Sequence, residues 1–159
     1  MSKRQDRQRF IRHYKETTGE KELDMRKVAQ FAKEMGWEMP KPPSEIDMLA
    51  KLFTEAAHEE RKYDKGTGQP YRVYHAIPVS GQPSLFAYID IDEANRRQMH
   101  MSSNIRREQM VSDGLNLVLD LDHWNSINPA EEPIQIPMDL TLDIEIRKAA
   151  AADDDDETG

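Results

Sequence analysis

Apolar and polar positions recur along this chain in two rhythms, one helical and one of period two. Phe10, Ile11 and Tyr14 cluster on one side of residues 5–17, and Thr17, Thr18 and Gly19 then break the pattern, which predicts a short helix with basic outer faces. A second helix is predicted over about 25–35. Asp24 is its N-cap, Val28, Phe31, Ala32 and Met35 repeat at helical spacing, and Gly36 stands where a C′ residue belongs. Pro40, Pro42 and Pro43 impose an extended turn, because proline lacks an amide donor and disfavours helix in the residue before it. Ser44 and Asp47 then resemble a capping box ahead of the stripe Ile46, Leu49, Ala50, Phe53 and Ala57, giving a third helix over 45–62.

After the loop at 66–70 the period drops to two. Tyr71, Val73, His75, Ile77 and Val79 alternate with a second set of residues, 80–83 form a turn, and Leu85, Ala87, Ile89 and Ile91 alternate again. This predicts an antiparallel hairpin of 71–79 with 85–91. Asp92 can cap a helix over 93–112 that stops at Gly114, with Ala94, Met101 and Ile105 on its packing side. Leu115, Leu117, Leu119 and Leu121 alternate, as do the apolar residues from Ile134 to Ile146, and both segments read as strands, the second able to turn helical over 139–148. Residues 149–159, four alanines and an acidic run, predict a disordered acidic tail.

The pattern adds up to an α+β fold: three N-terminal helices, a β-hairpin, a further helix and one or two additional antiparallel strands. The expected organisation is a basic N-terminal helix over 1–19, a single α+β domain over 20–148, and the tail. Three helices followed by a hairpin is the element order of a winged-helix domain, with 45–62 as the recognition helix and 80–83 as the wing tip. The charge of that helix argues against DNA, since Glu45, Asp47, Glu55, Glu59 and Glu60 outnumber Lys51, Arg61 and Lys62.

Composition narrows the class. Leu, Ile, Val and Phe make up 30 of 159 residues, near the disordered regime, and nine Met, five Tyr and two Trp supply the remaining core material. With no cysteine, disulfides, thiol catalysis and thiolate metal sites are excluded. No apolar run is long enough for a membrane span and no apolar segment follows the basic start, so a soluble, cytoplasmic protein with no membrane partner is expected.

Charge is segregated. Residues 1–15 hold Lys3, Arg4, Arg7, Arg9, Arg12 and Lys15 against Asp6, a local +5, whereas 113–159 hold thirteen acidic residues against Arg147 and Lys148, a local −11. A basic helix of this kind attracts nucleic acid or another anion. A second cationic set, Arg96, His100 and Arg107 with Ser103, shares one side of the 93–112 helix, where arginine forks suit phosphates or carboxylates. Met99 and Met110 flank it as a candidate protein or self-association surface.

Enzymatic chemistry finds less support. From Asp120, residues Asp122, Asn128 and Glu131 match an EF-hand loop, but Trp124, Asn125, Pro129 and Pro133 do not. Asp90, Asp92, Glu93, Asp120 and Asp122 would form a metal-dependent hydrolase site if their strand ends converged. The histidines lack paired ligand spacing, and His75, in register with Val73 and Ile77, reads as a hydrogen-bonded sheet histidine. Neither a phosphate-binding glycine loop nor a nucleophile elbow is present. No catalytic residue, metal ligand set or cofactor is therefore assigned. The leading expectation is a non-enzymatic binding or regulatory module docking a protein or nucleoprotein partner. Direct nucleic-acid binding through Lys3, Arg4, Arg7, Arg9, Arg12 and the arginine face comes second, and a small metal-dependent hydrolase third.

Overall fold

Capping chemistry sets where the helices begin and end. The computed structural model describes residues 2–156, with the side chains of 83–84 and 152–156 outside that description. Ser2 Oγ accepts from the Gln5 amide (3.2 Å) while Gln5 Oε1 accepts from the Ser2 amide (3.1 Å), a capping box that opens α1, Lys3–Thr18. Gly19 closes it at φ 71°, donating to the Lys15 carbonyl. Asp24 accepts from the Arg26 amide at 2.9 Å and starts α2, Met25–Glu34, as expected. Tyr14, Val28 and Ala32 are buried here, and the Tyr14 hydroxyl donates to Glu20 at 2.8 Å.

The chain divides into two units, Met1–Met48 and Leu49–Gly159. The division falls inside α3, Glu45–Glu59, whose Ser44 Oγ accepts from the Asp47 amide at 3.2 Å. Two expectations for this helix are corrected. It ends before Arg61 because that residue begins a strand, and its stripe of Ile46, Leu49 and Phe53 is exposed rather than core.

Two hairpins follow. β1, Arg61–Asp64, pairs with β2, Gln69–Arg72, around a turn organised by Asp64: its carboxylate accepts from the Gly66 amide and the Thr67 hydroxyl, and its carbonyl from Gly68, at φ 70°. β3, Tyr74–Val79, pairs with β4, Gln82–Asp90, across the Ser80–Gly81 turn, with a bulge at Pro78/Val79. The expected 71–79/85–91 hairpin is thus present but split at Val73, and its first two residues belong to the other sheet. Val73 is fully buried; its amide donates to the Glu60 carbonyl (3.2 Å) and its carbonyl accepts from Ile91 (2.8 Å). His75 is also buried, with Nε2 donating to the Arg72 carbonyl at 3.0 Å, the hydrogen-bonded role anticipated for it.

The second half departs most from expectation. Asn95, not Asp92, caps α4, Arg96–Ile127, which runs through Gly114 and takes in the whole expected strand at 115–121. Leucine is among the best helix formers and the segment holds only Val118 as a β-branched residue, so alternation of leucines does not override helix propensity. One helical glycine costs about 1 kcal/mol, too little to stop a helix of 32 residues. The expected strand from Ile134 is an extended, unpaired segment to Leu140, followed by α5, Thr141–Asp156, so the helical alternative for 139–148 holds. The α5 backbone continues through Ala149–Ala152 to Asp156, where disorder was expected; 157–159 lie outside the described residues.

Five helices and two small antiparallel sheets make an α+β fold among the described residues. The extra hairpin β1–β2 stands between α3 and β3–β4 and interrupts the winged-helix order. α4 packs on β3 and buries Ser102, and Gln69 of β2 donates to the Lys148 carbonyl of α5 at 3.1 Å. No helix among the described residues is long and apolar enough to cross a membrane.

Two predictions follow from these contacts. A Cβ on Gly114 would meet only the terminal methyl of Met138, at 3.1 Å. Gly114→Ala should therefore stabilise the protein by about 0.5–1 kcal/mol, read by chemical denaturation, because the methionine end can move aside. The hydrogen bond to Glu20, then burial, then the charges of Glu20 and Asp24 raise the Tyr14 pKa above its ordinary value of 10.0. The neutral hydroxyl's contribution is thus complete below pH 10 and lost as pH rises through the raised pKa. Thermal melts should fall over that range, and Tyr14→Phe should flatten the fall.

Candidate functional site

A groove in the first unit is built by a helix ending. Past α2, Gly36 adopts φ 89°, its amide donates to Lys33, and the Trp37 amide donates to Ala32 at 3.0 Å. This pair of bonds is a Schellman motif, and it turns the chain so that Trp37 returns to α1. The Trp37 and Phe10 rings lie 4.9 Å apart at 59°, with Phe31 at 5.7 Å and His13 at 6.1 Å from Phe10. Between α1 and residues 37–41, Phe10, His13 and Trp37 floor a groove of about 880 Å³. Lys3, Arg7, Arg9 and Lys41 line its edges, with Asp6 and Glu38 as the opposing carboxylates.

Of the cationic residues named from sequence, Lys3, Arg7 and Arg9 therefore gather at this groove, while Arg4 and Arg12 lie outside it, and all five are exposed. Trp37 and Lys41 were missed. The signal for them was the Gly36 stop already read from the sequence, followed through to where it sends the next residues.

Arg96, His100 and Arg107 all lie exposed on α4, at spacings of four and seven that share one side of a helix. His100 Nδ1 is 3.0 Å from Asn104 Nδ2, and Arg107 pairs loosely with Glu108 at 3.9 Å. Met99 beside them is half-buried, whereas Met110 is exposed. A second arginine group escaped the sequence reading because it depends on β1–β2 pairing. Arg61 and Arg72 are direct cross-strand partners, and burial first, then Arg106 and Arg61, lowers the Arg72 pKa. Like charges placed opposite each other repel. Arg61 turns aside to donate to the His58 carbonyl at 2.6 Å, closing the end of α3.

The third surface is an apolar arm formed by the end of α4, the extended segment 134–140 and α5. Asn125 holds the segment like a strand partner: Nδ2 donates to the Ile134 carbonyl (3.0 Å) and Oδ1 accepts from its amide (2.9 Å). From there the segment runs back along α4, lining a small cleft with Leu117, Val118 and Leu121, and reaches Gly114 with Met138. Asp139 accepts from the Thr141 amide at the start of α5, and this bond holds its carboxyl below the ordinary range. Leu115, Leu119, Ile136, Leu140, Leu142 and Ile146 all remain exposed.

The carboxylates proposed for a hydrolase are not brought together. Asp90 and Asp92 precede α4, and Asp120 and Asp122 lie on it more than twenty residues further on, about 36 Å along the helix axis. The same helix takes in residues 120–127 of the loop an EF-hand would need. Among the described residues no three His, Asp or Glu side chains gather as metal ligands. Compared with protein families, with curated proteins and with solved structures, the chain matches none.

Gly36→Ala forces a Cβ into the left-handed region, so it should destabilise the first unit by about 1–2 kcal/mol and shift Trp37 fluorescence. Asn125→Ala should release the 134–138 segment, raising amide exchange at Ile134 roughly tenfold, the effect of losing about 1.4 kcal/mol of local protection.

Proposed function

We propose that this protein is a binding module, without catalytic activity of its own, that docks a protein or nucleoprotein partner in the cytoplasm through its apolar arm. One observation carries the reading. Along residues 115–146 the large aliphatic side chains stay uncovered, Leu115, Leu119, Ile136, Leu140, Leu142 and Ile146 each being 43–70% exposed, which is the kind of patch that marks protein–protein contact. Much of what is uncovered is aliphatic and lies on the arm. Asp113, Asp120, Asp122, Asp139, Asp143 and Glu145 accompany it, so the surface that covers the arm is apolar with cationic edges.

A second reading, direct nucleic-acid binding, is favoured by a different observation, the aromatic groove edged by Lys3, Arg7, Arg9 and Lys41. In that reading Arg96, His100 and Arg107 form a further phosphate contact.

Sedimentation velocity and dye binding test the first reading. The purified chain should either associate or, as a monomer, bind a hydrophobic dye strongly, and Leu117→Asp with Ile136→Asp should reduce association or dye binding several-fold while the β3–β4 hairpin and first unit stay folded. A monomer that binds no dye would sink the proposal.

A further inference from the structure

We infer that the Phe10–Trp37 groove is a binding site for single-stranded nucleic acid, with an unpaired base against the aromatic floor and its flanking phosphates on Lys3, Arg7 and Lys41. The inference rests on the second reading above and names its ligand and contacts. The rings of Phe10 and Trp37 are tilted by 59° and so do not stack on each other, which leaves ring surface for a third flat body. Trp37 is 36% exposed and Phe10 half-buried, so both rings keep surface open to the groove. Stacking on such rings is tolerant of sequence, because every base has a π-face.

Charge selects the same ligand. Four cations and two carboxylates edge the groove, a net positive rim around an apolar floor, in a protein whose overall charge is −8. A duplex keeps its base faces stacked internally and offers the groove only phosphates. A single strand offers both chemistries at the spacing of one nucleotide. An acidic peptide would satisfy the cations but leave the Trp37 face uncovered.

The groove's own tryptophan reports on it. In the 159-residue chain carrying Trp124→Phe, Trp37 is the sole tryptophan. This protein is titrated with labelled oligo-dT of about twelve nucleotides, a duplex of equal length and poly-glutamate, following probe anisotropy and Trp37 emission at roughly 50 and 200 mM salt. Oligo-dT should bind, quench Trp37 and weaken with salt. Trp37→Leu, read by anisotropy in otherwise native protein, should weaken binding roughly 5- to 150-fold, the loss of one stacked base. Arg7→Glu with Lys41→Glu alters only exposed rim residues and decides the matter if the tryptophan variant misfolds; it should weaken binding at least as much.

Binding without quenching, insensitive to both variants, overturns the groove and leaves nucleic-acid binding on phosphates elsewhere. Equal quenching by poly-glutamate overturns it in favour of an acidic polypeptide. No binding of any nucleic acid removes the groove inference together with the second reading.

Discussion

Two backbone hydrogen bonds at Val73 hold the larger unit together. Its amide reaches Glu60 at the end of the α3 segment and its carbonyl receives Ile91 at the exit of β4, so one buried residue ties the start of the first hairpin to the end of the second. Two-stranded hairpins are marginal alone in water. Joined at Val73 they form a platform on which α4 docks, and against which α5 is tethered by Gln69. His58 at the end of α3 adds a third tie, with Nε2 3.1 Å from the Tyr88 hydroxyl of β4.

What was legible in the sequence is what local chemistry decides. Asp24, Ser44 and Gly36 act within a few residues of themselves, and the helices they delimit are where reading them places the boundaries. The β3–β4 pairing was equally plain, because alternation there comes with β-branched and aromatic residues and a glycine turn. Leu115 to Leu121 alternate as cleanly, yet leucine satisfies either state, and the outcome is decided by continuity with the preceding helix. The short β1–β2 hairpin was invisible for the opposite reason: its strands are mostly polar, and the turn at Asp64 works through side-chain hydrogen bonds that composition does not reveal.

The same distinction governs the sites. Lys3, Arg7 and Arg9 could be named from charge alone, but their association with Trp37 and Lys41 required knowing how the chain leaves α2. Arg96, His100 and Arg107 needed only helical periodicity. The carboxylate grouping failed because it presumed strand ends, and a helix separated the residues instead. The apolar arm lay in plain view as a run of aliphatic residues, and its meaning changed once those residues were found uncovered rather than interior.

The 134–140 segment has one further consequence. Its alternating Ile134, Ile136, Met138 and Leu140, continued by Leu142, Ile144 and Ile146, is the kind of pattern that stacks into cross-β fibrils when exposed as a strand. Pro133 and Pro137 supply no amide hydrogen to a neighbouring strand, Asn125 occupies both backbone groups of Ile134, and α5 winds the remaining aliphatics into a helix. The chain thus leaves an aliphatic surface uncovered while denying it the backbone ladder that would let copies polymerise, a separation of side-chain adhesion from main-chain templating.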